Sequence, residues 1–172
     1  MPRHVLLVGL PGSGKSTVGR LVAEGLSAPL IDIDGLLVRE MGMPISQIFG
    51  MLGEARFREM ERDAVVAAQS GNPGVIVPGG GWAAQPGQLA GAVESCLVIY
   101  LRCLPATAAR RTETGEARPL LAGVDPVQRM LALLQEREQF YSRAPHQVDT
   151  ERAEAAAVAA SIVGLARKHG GW

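Results

Sequence analysis

One joint in the sequence limits the folds open to this chain. GLPGSGKST, residues 9–17, matches G-x-x-x-x-G-K-[ST] from Gly9 through Gly14, Lys15 and Ser16. The apolar, branched run HVLLV (4–8) before it reads as a buried strand, and STVGRLVAEGL (16–26) after it reads as a helix. Glycines in such a turn let backbone N–H groups curl round an anion, and the helix adds its positive N-terminus. Gly12, Ser13, Gly14, Lys15, Ser16 and Thr17 are therefore candidate ligands for a nucleoside triphosphate. Lys15 is placed to reach the β- and γ-phosphates, and the Ser16 hydroxyl to bind Mg²⁺.

The rest of the chain repeats this strand-then-helix rhythm. PLIDID (29–34), VIV (75–77) and CLVIYL (96–101) read as further strands, and HQVDT (146–150) as a last one. Residues 35–71 look helical in three pieces: GLLVREMG, PISQIFGMLG and EARFREMERDAVVAAQSG. Residues 85–93 suit one helix, and Pro105 starts another. VQRMLALLQEREQFY (127–141) and AEAAAVAASIVGLARK (153–168) complete the set. TGEARPLLAGVDP (114–126) has no periodicity and is long enough for a lid. The pattern predicts a single α/β domain over 1–172, layered round a mostly parallel sheet, with ligands beyond the carboxyl ends of the strands.

Composition narrows the function classes. Seventeen basic residues balance seventeen acidic ones, which argues against a general nucleic-acid or membrane-surface binder. No apolar run approaches membrane-spanning length. Cys96 and Cys103 lack metal-site spacing and read as small buried hydrophobes, so a reducing, cytoplasmic compartment is expected. A monomer is the default for this size and charge.

Several groups could carry chemistry. In DID, strand alternation would send Asp32 and Asp34 to one face and Ile33 to the other. One carboxylate could help hold the metal and the other accept a proton from an attacking hydroxyl; alternatively, both cap the next helix. Arg58 has Glu54 four residues before it and Glu61 three after. That spacing fits a solvated salt-bridged face, or a guanidinium braced by Glu61 to meet a planar anion. Arg110 and Arg111 precede the lid segment, Arg118 lies in it, and Arg137 follows on the next helix. Gly79, Gly80 and Gly81 follow the third strand, and a glycine triplet there signals a close approach to the backbone.

Together these pieces resemble the shikimate kinase family, small P-loop kinases of the nucleoside-monophosphate-kinase structural group. GLPGSGKST, DID, ISQIFGMLGEARFREME, GGG, ARRT, RPLL and the R…Y of EREQFY occur in the family's order, from about residue 4 to 150. The resemblance implies a three-layer P-loop kinase fold: a mostly parallel five-stranded sheet flanked by helices, a helical substrate-binding segment at about 33–61 and a lid at about 112–124. It implies ATP-dependent phosphorylation of the 3-hydroxyl of shikimate. Lys15 would contact the transferring phosphate, and Ser16 with Asp32 would position Mg²⁺. Asp34 would bind substrate hydroxyls and serve as base. Arg58, braced by Glu61, and Arg137 would pair with the shikimate carboxylate. Arg118 would close over the γ-phosphate, and Arg110 would lie against the adenine. The glycine triplet would lie against the substrate ring, where a β-carbon would collide with the ligand.

Four departures stand out. Trp82 follows the triplet where the family usually has a small residue. Ile33 replaces the usual Ser or Thr between the aspartates. Gln139 stands where a proline is usual, which predicts a different local turn. VDTERAEA lacks the usual later proline, so Arg152 carries over only weakly. No main catalytic group is deleted. Trp82 keeps open another small hydroxylated acid as acceptor, gluconate-like or quinate-like; a separate alternative is a catalytically silent nucleotide-binding homologue.

Overall fold

Strand ends decide where this chain can place a ligand, and they follow from which runs of sequence are buried on both sides. A computed structural model describes residues 1–113 and 125–172. In chain order its elements are β1 (His4–Val8), α1 (Lys15–Leu26), β2 (Leu30–Asp32), α2 (Ile33–Met41), α3 (Ile45–Gln69), β3 (Val75–Val77), α4 (Gln88–Ser95), β4 (Cys96–Arg102), α5 (Pro105–Thr112), α6 (Pro126–Tyr141), β5 (His146–Asp149) and α7 (Ala155–His169). The strands form one sheet in the order β2-β3-β1-β4-β5, and every pairing is parallel.

Period-two alternation splits the core between the two sheet faces. Val5, Leu7, Val75, Val77, Leu97 and Ile99 pack with Val18 and Val22 of α1 and Val158 and Ile162 of α7. Leu6, Val8, Ile76, Val98 and Tyr100 pack on the other side with Leu37, Phe57, Val65, Leu89 and Met130, from α2, α3, α4 and α6. Helices on both faces leave β1, β3 and most of β4 buried, which is why these strands read as unbroken apolar runs.

Local chemistry sets the element ends. The second strand stops at Asp32, two residues short of the expected boundary, because the Asp32 side chain caps α2 by accepting from Gly35 N at 3.4 Å. Asp34 therefore lies in the first turn of a helix, and strand alternation does not describe the aspartate pair. α3 breaks at Gly53, whose φ of 78° is costly for any residue with a β-carbon, so the expected separate helical pieces are found. α4 starts at Gln88 and runs to Ser95, later than the expected 85–93. α6 runs unbroken through Gln139 to Tyr141, which is where the missing proline shows its effect. The lid segment, apart from residues 112–113, and Arg118 lie outside the described residues.

The sheet order is what builds the site. β3 and β1 are neighbours, so the glycine loop after one emerges beside the phosphate loop after the other. β2 pairs with β3 through Asp32 and Val77, which brings the aspartates to the same rim.

Candidate active site

The phosphate loop leaves β1 and ends at the first residue of α1. Gly12 and Gly14 have φ of 79° and 91°, the left-handed region that glycine enters without penalty. A β-carbon on Gly12 would strike the Ala108 carbonyl oxygen, so the loop rests directly on α5. Helix α1 has no side-chain cap and no acidic residue in its first turn. Its N-terminal N–H groups and the helix dipole stay available to an anion. Lys15 is buried, and its Nζ donates to the carbonyls of Gly9 and Leu10, both at 2.8 Å.

A cleft of about 280 Å³ opens over this loop. Gly12, Gly14, Lys15, Ser16 and Thr17 line one side; Asp32, Asp34, Val77, Pro78, Gly79 and Gly80 line the other. Ser16 Oγ lies 3.4 Å from Asp32 Oδ2. A hydroxyl and a carboxylate that close, facing open space, are hard oxygen donors suited to Mg²⁺, which keeps most of its ligands as water and phosphate. Among the described residues no cluster of three or more His, Cys, Asp or Glu forms an all-protein metal cage. Asp32 thus serves both readings made from sequence: it caps α2 and faces the cleft. Ile33 is fully buried, and occupies core where the resemblance expects a hydroxyl.

Past Asp34 the cleft meets a second assembly. Glu61, fully buried, accepts from Arg58 Nη1 at 2.8 Å and from Gly79 N at 3.0 Å. Burial raises the Glu61 pKa, and the charge of Asp34 pushes the same way; Arg58 and the Gly79 N–H pull against them. The Arg58–Glu61 pair has the same 2.8 Å separation as Arg20–Glu24 on the surface, but the Arg58 and Glu61 side chains are 12% and 0% exposed, against 58% and 60%. Exposed pairs contribute about 0–1 kcal/mol, whereas removing one partner of a buried pair costs about 3–5 kcal/mol. Arg58 is therefore braced, and the solvated-face reading fails. Its contact with Glu54 is longer, at 3.5 Å.

The glycine triplet meets the expected close approach to the backbone, and the protein's own groups supply it. None of its three residues has a positive φ, so space is what requires glycine. A β-carbon on Gly79 would meet Glu61 Oε1, one on Gly80 would come within 2.8 Å of Pro11 Cδ in the phosphate loop, and one on Gly81 would fall on the Arg58 guanidinium. The missing side chains make room for Glu61, the phosphate loop and Arg58. Tyr141 Oη donates to the Gly80 carbonyl at 2.5 Å. Burial raises that phenol's pKa to about 12, opposed first by Arg137 and then by Arg58. Arg137, buried on α6, is thus brought to the same neighbourhood as Arg58.

Arg110, singled out from sequence, and its neighbour Arg111 are both exposed. Arg111 lines the main cleft and an adjoining one of about 170 Å³ bounded by Ser13, Thr17, Thr150 and Val158. Its guanidinium lies 3.4 Å from the Gly12 carbonyl and from Thr150 Oγ1. Helical spacing supplies the reason. Arg111 is four residues after buried Thr107, whereas Arg110 is four after exposed Ala106. The flanking loop is fixed by Glu151, a residue the sequence did not mark. It accepts from Leu104 N at 2.7 Å and Thr107 Oγ1 at 2.9 Å, capping α5 from across the fold.

A parallel sheet with a phosphate loop, a metal-suited Ser–Asp pair and a braced arginine across the cleft defines a small P-loop kinase. The shikimate kinase family model matches residues 11–166. Shikimate kinases of Mycobacterium tuberculosis and Moorella thermoacetica are 42% and 39% identical to the chain, covering 95% and 94% of it and 93% of each relative. The solved structure of shikimate kinase from Acinetobacter baumannii in complex with shikimate superposes with a TM-score of 0.92 at 31% identity, covering 98% of this chain and 94% of that one. The chain belongs to the shikimate kinase family.

Proposed function

We propose that this protein transfers the γ-phosphoryl group of ATP to the 3-hydroxyl of shikimate, giving shikimate 3-phosphate and ADP. The observation that carries the reading is the position of Asp34. It lines the phosphate cleft with Lys15 and Ser16, and its Oδ1 lies 3.4 Å from where a β-carbon on Gly79 would sit, beside the Glu61 that braces Arg58. A carboxylate between a phosphate site and an anion-binding arginine can accept a proton from an acceptor hydroxyl held at both ends.

The remaining roles follow from the same geometry. Backbone N–H groups of the phosphate loop and the start of α1 hold the phosphates. Lys15 exchanges its Gly9 and Leu10 carbonyls for phosphate oxygens. Ser16 and Asp32 would hold Mg²⁺, which when bound neutralises phosphate charge. Arg58 and Arg137 receive the carboxylate of the acid. Arg111, and not Arg110, borders the base of the nucleotide. Arg118 keeps the role the resemblance gives it, closing over the transferring phosphate. With little covalent chemistry for the protein to do, catalysis is positioning and charge neutralisation.

The test is ADP production from Mg·ATP with shikimate, quinate, gluconate, AMP or no acceptor. Turnover on shikimate well above the rest is expected. A higher rate on another acid, or only the acceptor-free rate, would overturn the reading.

A further inference from the structure

Buried N–H groups without an acceptor are rare in folded proteins, and each costs about 1–3 kcal/mol. Among the described residues two buried side-chain nitrogens lack one: Arg58 Nε and Trp82 Nε1. Both atoms only donate, so what would satisfy them is an acceptor. They belong to one neighbourhood. Trp82 directly follows Gly81, and the space of the missing Gly81 side chain is filled by the Arg58 guanidinium.

The backbone that carries the indole is held in place. Trp82 N donates to the Gly79 carbonyl at 3.2 Å, and Gln85 N donates to the Trp82 carbonyl at 3.0 Å. Gln85 Nε2 ties down the Gly81 carbonyl at 3.2 Å. The ring is 2% exposed and belongs to the core cluster that holds Ile33, Ile48 and Phe57. Phenylalanine would supply a smaller apolar ring with no donor. The other tryptophan is a contrast: Trp172 Nε1 donates to the Arg3 carbonyl at 2.8 Å and is satisfied within the fold.

We propose that Trp82 Nε1 donates a hydrogen bond to the carboxylate of the bound acid, as a specificity-determining donor beside Arg58 and Arg137. The inference rests on the proposed shikimate reading and deepens it. An anionic oxygen gains most from a preformed buried donor, because the donor has already lost its water when the substrate arrives. The tryptophan that departs from the family pattern then strengthens selection for an acid and leaves the acceptor class unchanged.

Trp82→Phe separates the possibilities. The KM for shikimate should rise about tenfold or more, as for a hydrogen bond to a charged group. The values of kcat and of KM for ATP should stay within about twofold. An unchanged KM for shikimate overturns the proposal, and so does a lower melting temperature with unchanged KM, which would mean the indole is satisfied inside the empty fold. Should the variant not fold, the full chain with ¹⁵N-labelled indoles decides. Shikimate should move the Trp82 N–H resonance downfield and leave Trp172 in place, with a smaller move for the neutral methyl ester. A stationary Trp82 resonance overturns it. Loss of the broader reading is distinguishable, because it appears in the wild-type chain as turnover on another acceptor or on none.

Discussion

The phosphate end of the cleft is lined by residues of one loop and the helix start after it, from Gly12 to Thr17. The proposed acceptor end is built from side chains of α3 and α6, braced by a loop that follows β3. The first end needs little beyond its own strand, loop and helix. The second exists only once distant segments have packed. A local device tolerates change around it and fails when its own atoms change. A device built across the fold is expected to fail when any brace is removed, even one that never touches a ligand.

The largest effect is expected where the two ends meet. Asp34→Asn should lower turnover by about 10²–10⁴-fold, the usual contribution of a positioned base, while ATP still binds. Turnover near wild type would remove Asp34 from the chemistry.

Glu61→Gln attacks the acceptor end alone. It should cost about 3 kcal/mol in urea unfolding and raise the KM for shikimate, with the KM for ATP unchanged. A cost under about 1 kcal/mol would return the pair to the class of exposed bridges. The pH dependence has a definite sign. Folding raises the Glu61 pKa above its ordinary value of 4.5, so the folded state binds the proton more tightly than the unfolded chain. This contribution to stability is present at low pH and is lost as pH rises from about 4.5 through the folded pKa. The wild type's advantage over Glu61→Gln should therefore narrow as pH rises above about 4.5. An advantage that widens would show Arg58 outweighing burial.

Tyr141→Phe leaves the buried Gly80 carbonyl without its donor. A loss of about 1–3 kcal/mol is expected, with the KM for shikimate rising more than that for ATP. Equal rises in both would place Tyr141 in the general scaffold. The smallest effect separates neighbours at the nucleotide side. Arg111→Ala should raise the KM for ATP several-fold, in keeping with a guanidinium against a planar ring at about 0.5–2 kcal/mol. Arg110→Ala should leave it within twofold, and the reverse order would restore the sequence-based assignment.

The same contrast explains what could be read from sequence. The phosphate loop, the alternation of strands and helices and the break near Gly53 are written in adjacent residues, and all are found. The aspartate pair reached the cleft by the capping route that the sequence offered as its alternative. A strand of three residues and a cap at Asp32 replaced the expected alternation. Arg111 was legible in principle, because its spacing from Thr107 puts it on the side of α5 that meets the phosphate loop. The bracing of Arg58 by a buried Glu61, the Tyr141 bond to Gly80 and the Glu151 cap link residues 3, 61 and 47 positions apart. For the last two no local periodicity exists to report them. For the first, the i,i+3 spacing was visible but its burial was not.

The triplet also bears on how such a site can change over generations. Each of its three glycines yields its side-chain space to a different structure: Glu61, the phosphate loop at Pro11, and Arg58. A substitution at any one of them displaces a part already in use, so this stretch offers no gradual route to a new acceptor. Altered selectivity has to enter at the border of the loop, where position 82 accepts a bulky ring, or on the helices that face it. The most crowded backbone in the site thereby fixes where innovation is possible.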